Sequence, residues 1–304
     1  MKVLVVGGSG MIGASTARYL KDQGADVTVG VRSALPEESP VADLPVLIGD
    51  YMAGTYHAEM LSPFDAIVFA AGQDVRHKPA DVDDDEFWKS AQIEGVPRFA
   101  ELAKQAGVRR FVQVGSYYHM VLPDLAETNA YVAARKAADD GARALADESF
   151  NVSTVNPPSI IGVIPGVPAK RFRRLVSWAA GKESQIPDTA PPGGTNYMTV
   201  RSLAEAIWGA LNHAEPGRAY LVGDRNLTYQ QYFQMLVDAA GGDRTITTVD
   251  EEHRFLPDVG IVHGRGTVLS YEPPAEDVAA LGYTRNDVER GIDEVVSIVK
   301  PLID

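Results

Sequence analysis

The chain has 304 residues, of which 45% are hydrophobic, 23% are charged and none is cysteine. That length and balance support one large core with an appended lobe and argue against a disordered chain. The net charge of -13 opposes nucleic acid and anionic membrane as partners, since both repel an acidic surface. The lack of cysteine excludes disulfides and thiolate metal ligation and fits a reducing cytoplasm.

The first apolar run, residues 2–6, is too short to cross a bilayer and leads directly into glycines, so it reads as a buried strand. Residues 11–23 follow with apolar positions near helical spacing. Further β-branched or apolar runs fall at 27–31, 46–48, 66–69, 110–114 and 152–155, with helices predicted over 86–105 and 130–146. Such alternation predicts an α/β fold, a doubly wound parallel sheet of the Rossmann type with helices on both faces and ligands at the carboxyl ends of the strands.

After Pro157-Pro158 the pattern loosens into proline-punctuated loops. Residues 197–200 and 219–222 read as strands returning to the sheet, with a helix over 203–212 between them. The expected organisation is a dinucleotide-binding domain of residues 1–156 plus about 197–223, and a smaller discontinuous substrate lobe of about 157–196 and 224–304.

The segment Gly7-Gly8-Ser9-Gly10-Met11-Ile12-Gly13 joins the first strand to the first helix. The unpaired amides and dipole of a helix start favour an anion there, and glycines give a pyrophosphate room to approach. At the end of the second strand, a carboxylate would bind a ribose 2′-hydroxyl and a cation would bind a 2′-phosphate. The sequence places Arg32 and Ser33 at that end and Asp26 at the other. NADP(H) is therefore the expected cofactor, ahead of NAD(H). The bland alternative for Arg32 is a surface pair with Glu37 or Glu38.

The remaining charge clusters read plainly. Residues 81–86, Asp-Val-Asp-Asp-Asp-Glu, suit a helix N-terminus better than a calcium loop. The six histidines show no metal-ligand spacing, and no metal is expected. The basic run Lys170-Arg171-Phe172-Arg173-Arg174 reads as a solvated helix face, with an anionic substrate group as the alternative.

Glycines spaced as Gly7, Gly10 and Gly13 resemble the motif of the extended, atypical short-chain dehydrogenase/reductases, the NAD-dependent epimerase/dehydratase family. The resemblance continues through Gly49-Asp50, Ala70-Ala71-Gly72, Gln92-Ile93-Glu94-Gly95, Val114-Gly115-Ser116, Asn156-Pro157-Pro158, Asn196-Tyr197-Met198-Thr199-Val200 and Leu281-Gly282-Tyr283. It implies that Asp50 meets the adenine edge, that Ala70, Ala71 and Gly72 line the ribose and pyrophosphate channel, and that Pro157 also borders the cofactor. It further implies a possible homodimer through the two long helices flanking the fifth strand.

Members of that family that transfer hydride use a serine after the fifth strand and a tyrosine four residues before a lysine on the next helix. Ser116 and Tyr131 match, but the residue four further on is Arg135, and Lys136 comes one place later. In a regular helix Lys136 points about 100° away from Arg135. The segment from Ser116 to Tyr131 is short for the family and holds Tyr117, Tyr118 and His119, each read first as aromatic packing and second as a proton donor.

The resemblance implies an NADP(H)-dependent oxidoreductase acting on a small organic carbonyl or alcohol, nearest to dihydroflavonol reductases and 3β-hydroxysteroid dehydrogenases. Tyr131 would then exchange the oxygen proton. The alternatives are a nucleotide-sugar epimerase or dehydratase with bound NAD(P), and a non-catalytic NADP-binding or sensing protein.

Overall fold

A computed structural model describes residues 1–74, 78, 81–166 and 170–303, apart from the side chains of Lys170 and Arg171. Six strands form in chain order: β1 (Lys2–Val6), β2 (Asp26–Val31), β3 (Val46–Ile48), β4 (Ala66–Phe69), β5 (Arg110–Val114) and β6 (Asn151–Asn156). With Ala219–Leu221 they make one seven-stranded sheet, ordered Ala219–Leu221, β6, β5, β4, β1, β2, β3. Every pairing in it is parallel.

The helices preceding β6 are α1 (Met11–Asp22), α2 (Ala58–Leu61), α3 (Asp84–Trp88), α4 (Gly95–Gln105), α5 (Tyr118–Val121), α6 (Leu125–Thr128) and α7 (Ala130–Arg143). All four residues of β4 and residues 3–6 of β1 are buried, as strands covered on both faces require. β1 lies between β2 and β4, so the strand order reverses there and opens a crevice at the carboxyl ends of β1 and β4. Below it, Phe69 meets Phe99 and Phe111, and Phe111 meets Phe150, in a continuous aromatic core.

The structure revises the helix predicted over 86–105. Asp83 caps α3 by accepting from the amides of Asp85 and Glu86, at 2.9 and 3.3 Å, so the acidic run acts as a helix start. A π-helical turn, Lys89–Ile93, then separates α3 from α4. Its closing bond runs from Glu94 N–H to Lys89 O at 2.9 Å, and a Cβ at Gly95 would collide with the Ser90 carbonyl. The extra residue in this turn brings Gln92 inward, where its amide donates to Gln73 O at 3.0 Å.

The run at 197–200 does not return to the large sheet. It belongs to Gly194–Thr199, which pairs with Ser159–Ile161 and Arg225–Thr228 in a separate three-stranded sheet. All six residues of Gly194–Thr199 are buried, which is the environment of a central strand. The 219–222 run does join the large sheet, beside β6.

The chain divides into two compact units. The first comprises Met1–Pro157, Arg201–Val222 and Pro273–Tyr283, and the second takes the intervening described residues and those after Tyr283. Residues 273–283, expected in the lobe, thus lie in the first unit. Asp277 anchors them by accepting from Leu221 N–H at 3.1 Å and from Arg218 at 2.7 Å. Gly209, in the helix Val200–His213, leaves room for the Leu281 carbonyl. Pro168 of the predicted loop region lies outside the described residues.

Replacing Gly209 by alanine puts a methyl group into the Leu281 carbonyl. We expect a loss of about 1–3 kcal/mol in denaturant-measured stability. An unchanged unfolding midpoint would contradict this packing.

Candidate functional site

The glycine loop is shaped by its own amides. Gly7 N–H and Gly8 N–H both donate to Gly30 O, at 2.9 and 3.2 Å, and Gly10 N–H donates to Gly7 O at 3.1 Å. Gly7 has φ +84, and a Cβ there would lie 2.8 Å from the Ala70 carbonyl. A Cβ on Gly13 would overlap Gly7 O, so the helix can begin this close to the loop only without a side chain.

Gly10 differs, since the nearest atom to a Cβ there is 3.5 Å away and the chain itself leaves the position open. The first helical bond is Ala14 N–H to Gly10 O at 2.8 Å, and no side chain caps the helix. The amides of Met11, Ile12 and Gly13 are consequently the first-turn donors left for an outside acceptor. An open cradle with uncapped donors fits the pyrophosphate of a dinucleotide.

Because Gly30 O is pinned to the loop, the end of β2 is held beside it. Arg32 and Ser33 follow directly and are exposed. Among the described residues Arg32 has no ion-pair or hydrogen-bond partner, and the proposed pairing with Glu37 or Glu38 does not form. Asp50 uses Oδ1 to accept from Met52 and Ala53 N–H, at 2.8 and 3.3 Å, which closes its own turn.

Beyond β4, Ala70 N–H continues the ladder to Val6 O at 2.9 Å. The Tyr51 hydroxyl donates to Ala91 O at 2.9 Å and reaches Ala71 O at 3.3 Å, tying this segment to the π-helical turn. Burial pushes the Tyr51 phenol up to about 12. At Gly72 the neighbour is the Arg135 guanidinium, whose Nη1 would lie 2.7 Å from a Cβ.

Helix α7 starts at Asn129, whose side chain accepts from Val132 N–H at 3.1 Å. Tyr131, Arg135 and Asp139 recur at every fourth position and share one face. Tyr131 is half-buried, with its ring 5.2 Å from Trp88 and 6.4 Å, edge-on, from Tyr118. Arg135 is only 6% exposed and donates to Val114 O at 3.0 Å.

Lys136 is exposed and pairs with Asp140 one turn along, so it does not stand in for the expected lysine. The cause is helical phase. The residue on the Tyr131 face is Arg135, and Lys136 is turned toward solvent.

Ser116 is buried at the end of β5, and its amide donates to Asn156 Oδ1 at 2.8 Å. Gly115 has to be small because Asn156 occupies the space a Cβ would take. Asn156 Nδ2 in turn donates to Asp139 Oδ2 at 2.9 Å. Thr154 Oγ1 and Arg143 also donate to Asp139, and His119 Nε2 lies 3.2 Å from Asp139 Oδ2. Pro157 follows Asn156 and is buried.

Burial pushes the Asp139 carboxyl up, and the hydrogen bonds from His119 and Arg143 more than offset it, leaving its pKa below the usual carboxylate value. Tyr117 and Tyr118 do pack as rings, 4.3 Å between centroids, in line with the first reading of them. His119 does not; its Nε2 faces the Asp139 carboxylate. In the basic run, Phe172 is buried while Arg173 and Arg174 are exposed.

Asp139 and Trp88 were missed in the sequence, and His119 and Asn156 were noticed without their partners. The period-four recurrence from Tyr131 through Arg135 carried the signal for Asp139. Trp88 carried none, since its position depends on the helix break after it.

The model of the NAD dependent epimerase/dehydratase family matches residues 3–223. A search of curated proteins by sequence gives no match. Among solved structures, the crystal structure of gox2253 is similar with a TM-score of 0.76 and 17% identity, covering 99% of this chain and 98% of that one. MoeE5 in complex with UDP-glucose and NAD gives 0.74 and 19% over 100% of both chains. UDP-glucose 4-epimerase from Bifidobacterium longum in complex with NAD+ and UDP gives 0.74 and 16%, over 99% of this chain and 98% of that one. At these identities the likeness is one of fold.

Two stability measurements test the geometry. Lys136→Ala should shift unfolding by no more than about 0.5 kcal/mol, as for an exposed pair, whereas Arg135→Ala should cost clearly more. Because the folded pKa of Asp139 is depressed, its stabilisation is present above the unfolded value of about 3.9 and is lost as pH falls through the lower folded value. Asp139→Asn should cost about 3 kcal/mol at pH 7, with the deficit shrinking at acid pH. A deficit independent of pH would contradict an ionised Asp139.

Proposed function

The chain belongs to the NAD dependent epimerase/dehydratase family, and on that premise we propose that it is an NADP(H)-linked oxidoreductase. It would interconvert a ketone or aldehyde with an alcohol on a small organic substrate. The observation that carries the reading is an uncapped, glycine-lined helix start beside an exposed Arg32 that has no partner among the described residues. The amides of Met11, Ile12 and Gly13 would hold the pyrophosphate, and Arg32, with Ser33, the 2′-phosphate. The cofactor supplies or accepts the hydride at its nicotinamide ring.

The protein's part is proton handling and electrostatics. Tyr131 is the group that gives the carbonyl oxygen its proton or takes it back, and Ser116 steadies that oxygen through its hydroxyl. Arg135 carries a fixed positive charge on the same face of α7 as Tyr131. A guanidinium does not give up its proton, so Arg135 does not serve as a proton source. Trp88 and Tyr118 wall the Tyr131 ring and limit water on that side.

A second reading is a cofactor-binding protein without turnover. It is favoured by Arg135, whose guanidinium is already engaged by Val114 O and lies against Gly72. The nucleotide-sugar reading draws on similar structures in complex with NAD and UDP-glucose or with NAD+ and UDP, and Arg32 counts against it.

Fluorescence titration should give tighter binding of NADPH than of NADH, and Arg32→Ala should remove the difference, a loss of roughly tenfold or more for NADPH. Equal binding of both cofactors by the native protein would overturn the Arg32 assignment. With a panel of ketones, secondary alcohols and nucleotide sugars, Tyr131→Phe should lower turnover of a ketone at least 100-fold. Firm NADPH binding with no turnover of any compound would favour the second reading.

A further inference from the structure

Asp139 is a fully buried carboxylate that the proposed chemistry does not use. It lies on the same face of α7 as Tyr131 and Arg135, and four side chains converge on it: Arg143, Thr154, Asn156 and His119. One of those contacts leads back to the site. Asp139 Oδ2 accepts from Asn156 Nδ2 at 2.9 Å, and Asn156 Oδ1 accepts from Ser116 N–H at 2.8 Å.

We propose that Asp139, supported by His119, is a positioning residue that acts through Asn156 to fix Ser116. This rests on the reading of Ser116 as the residue that steadies the substrate oxygen.

Three physical points carry it. An ionised carboxylate only accepts hydrogen bonds, so the Asn156 amide has to face it with nitrogen, which turns the carbonyl oxygen toward Ser116 N–H. The Asn156 amide has no slack, because it fills the space under Gly115 where a Cβ would overlap Oδ1. The third point concerns His119, whose Nδ1 is buried with no hydrogen-bond partner among the described residues while Nε2 faces the carboxylate. The proton therefore resides on Nε2, and His119 supplies a donor that a glutamine amide can replace and a leucine cannot.

The network also explains why a buried carboxylate is tolerated here. A lone ionised group in the interior is costly, and truncating one partner of a satisfied network leaves the others exposed to that cost. Asp139→Asn keeps the volume but offers an NH2 group of its own, which removes the reason for Asn156 to hold its present orientation.

The test measures amide hydrogen exchange at Ser116 in the full-length protein, which needs no substrate. In Asp139→Asn and His119→Leu, exchange of Ser116 N–H should accelerate at least tenfold more than that of Phe111, Val112 and Val114 in β5, whose rates rise only with the loss of global stability. His119→Gln should restore slow exchange at Ser116. Equal rates for His119→Leu and His119→Gln, or an unchanged Ser116 amide in Asp139→Asn, would overturn the proposal. An acceleration at Ser116 no greater than that across β5 would also overturn it, by reducing the network to general stability.

If a ketone is turned over, His119→Leu should lower kcat with the KM for NADPH unchanged, and His119→Gln should recover it. Absence of all turnover would sink the oxidoreductase reading, and with it the purpose assigned to Ser116. The exchange measurement would still decide whether Asp139 fixes the Ser116 backbone.

Discussion

The approach of Gly13 to the Gly7 carbonyl governs the rest of the first unit. No side chain fits between them, so helix α1 begins as soon as β1 ends. The same loop is fastened to β2 through Gly30 O and packed against β4 at Ala70. One constraint thereby brings the ends of three neighbouring strands around an uncapped helix start. A larger residue at Gly13 would force the helix away from the crevice and separate Arg32 from the donors it stands beside.

Much of this arrangement was legible in the sequence because it follows from local rules. Glycine spacing, short apolar runs and intervening helical periods depend on nearby residues, and they identified the large parallel sheet and the loop. The features that escaped depend on distant partners. The 197–200 run has the composition of a strand, but its destination is set by Ser159–Ile161 and Arg225–Thr228. The break in the helix predicted over 86–105 depends on a single extra residue before Gly95, and no propensity marks it.

The site divides in the same way. Arg32 and the loop glycines could be singled out directly, since a strand-end position and glycine spacing are local features of the sequence. The serine and tyrosine could be found by spacing, and so could the awkward arginine at position 135. What sequence could not say is that Arg135 would be buried against Val114 O and Gly72 while Lys136 turned outward to Asp140. Nor could it show that His119, next to two tyrosines packed ring against ring, would turn to a carboxylate. Phase on a helix decides the first, and burial of Asp139 decides the second.

The central claim is that the first-turn amides of α1 receive the pyrophosphate of a dinucleotide, with Arg32 beside them. The most direct measurement is amide NMR of the protein titrated with NADPH. The account predicts that Met11, Ile12 and Gly13 shift strongly, together with Arg32, while the amides within β5 move little. Saturation with NADPH and NADH that leaves Met11 to Gly13 unperturbed would contradict it.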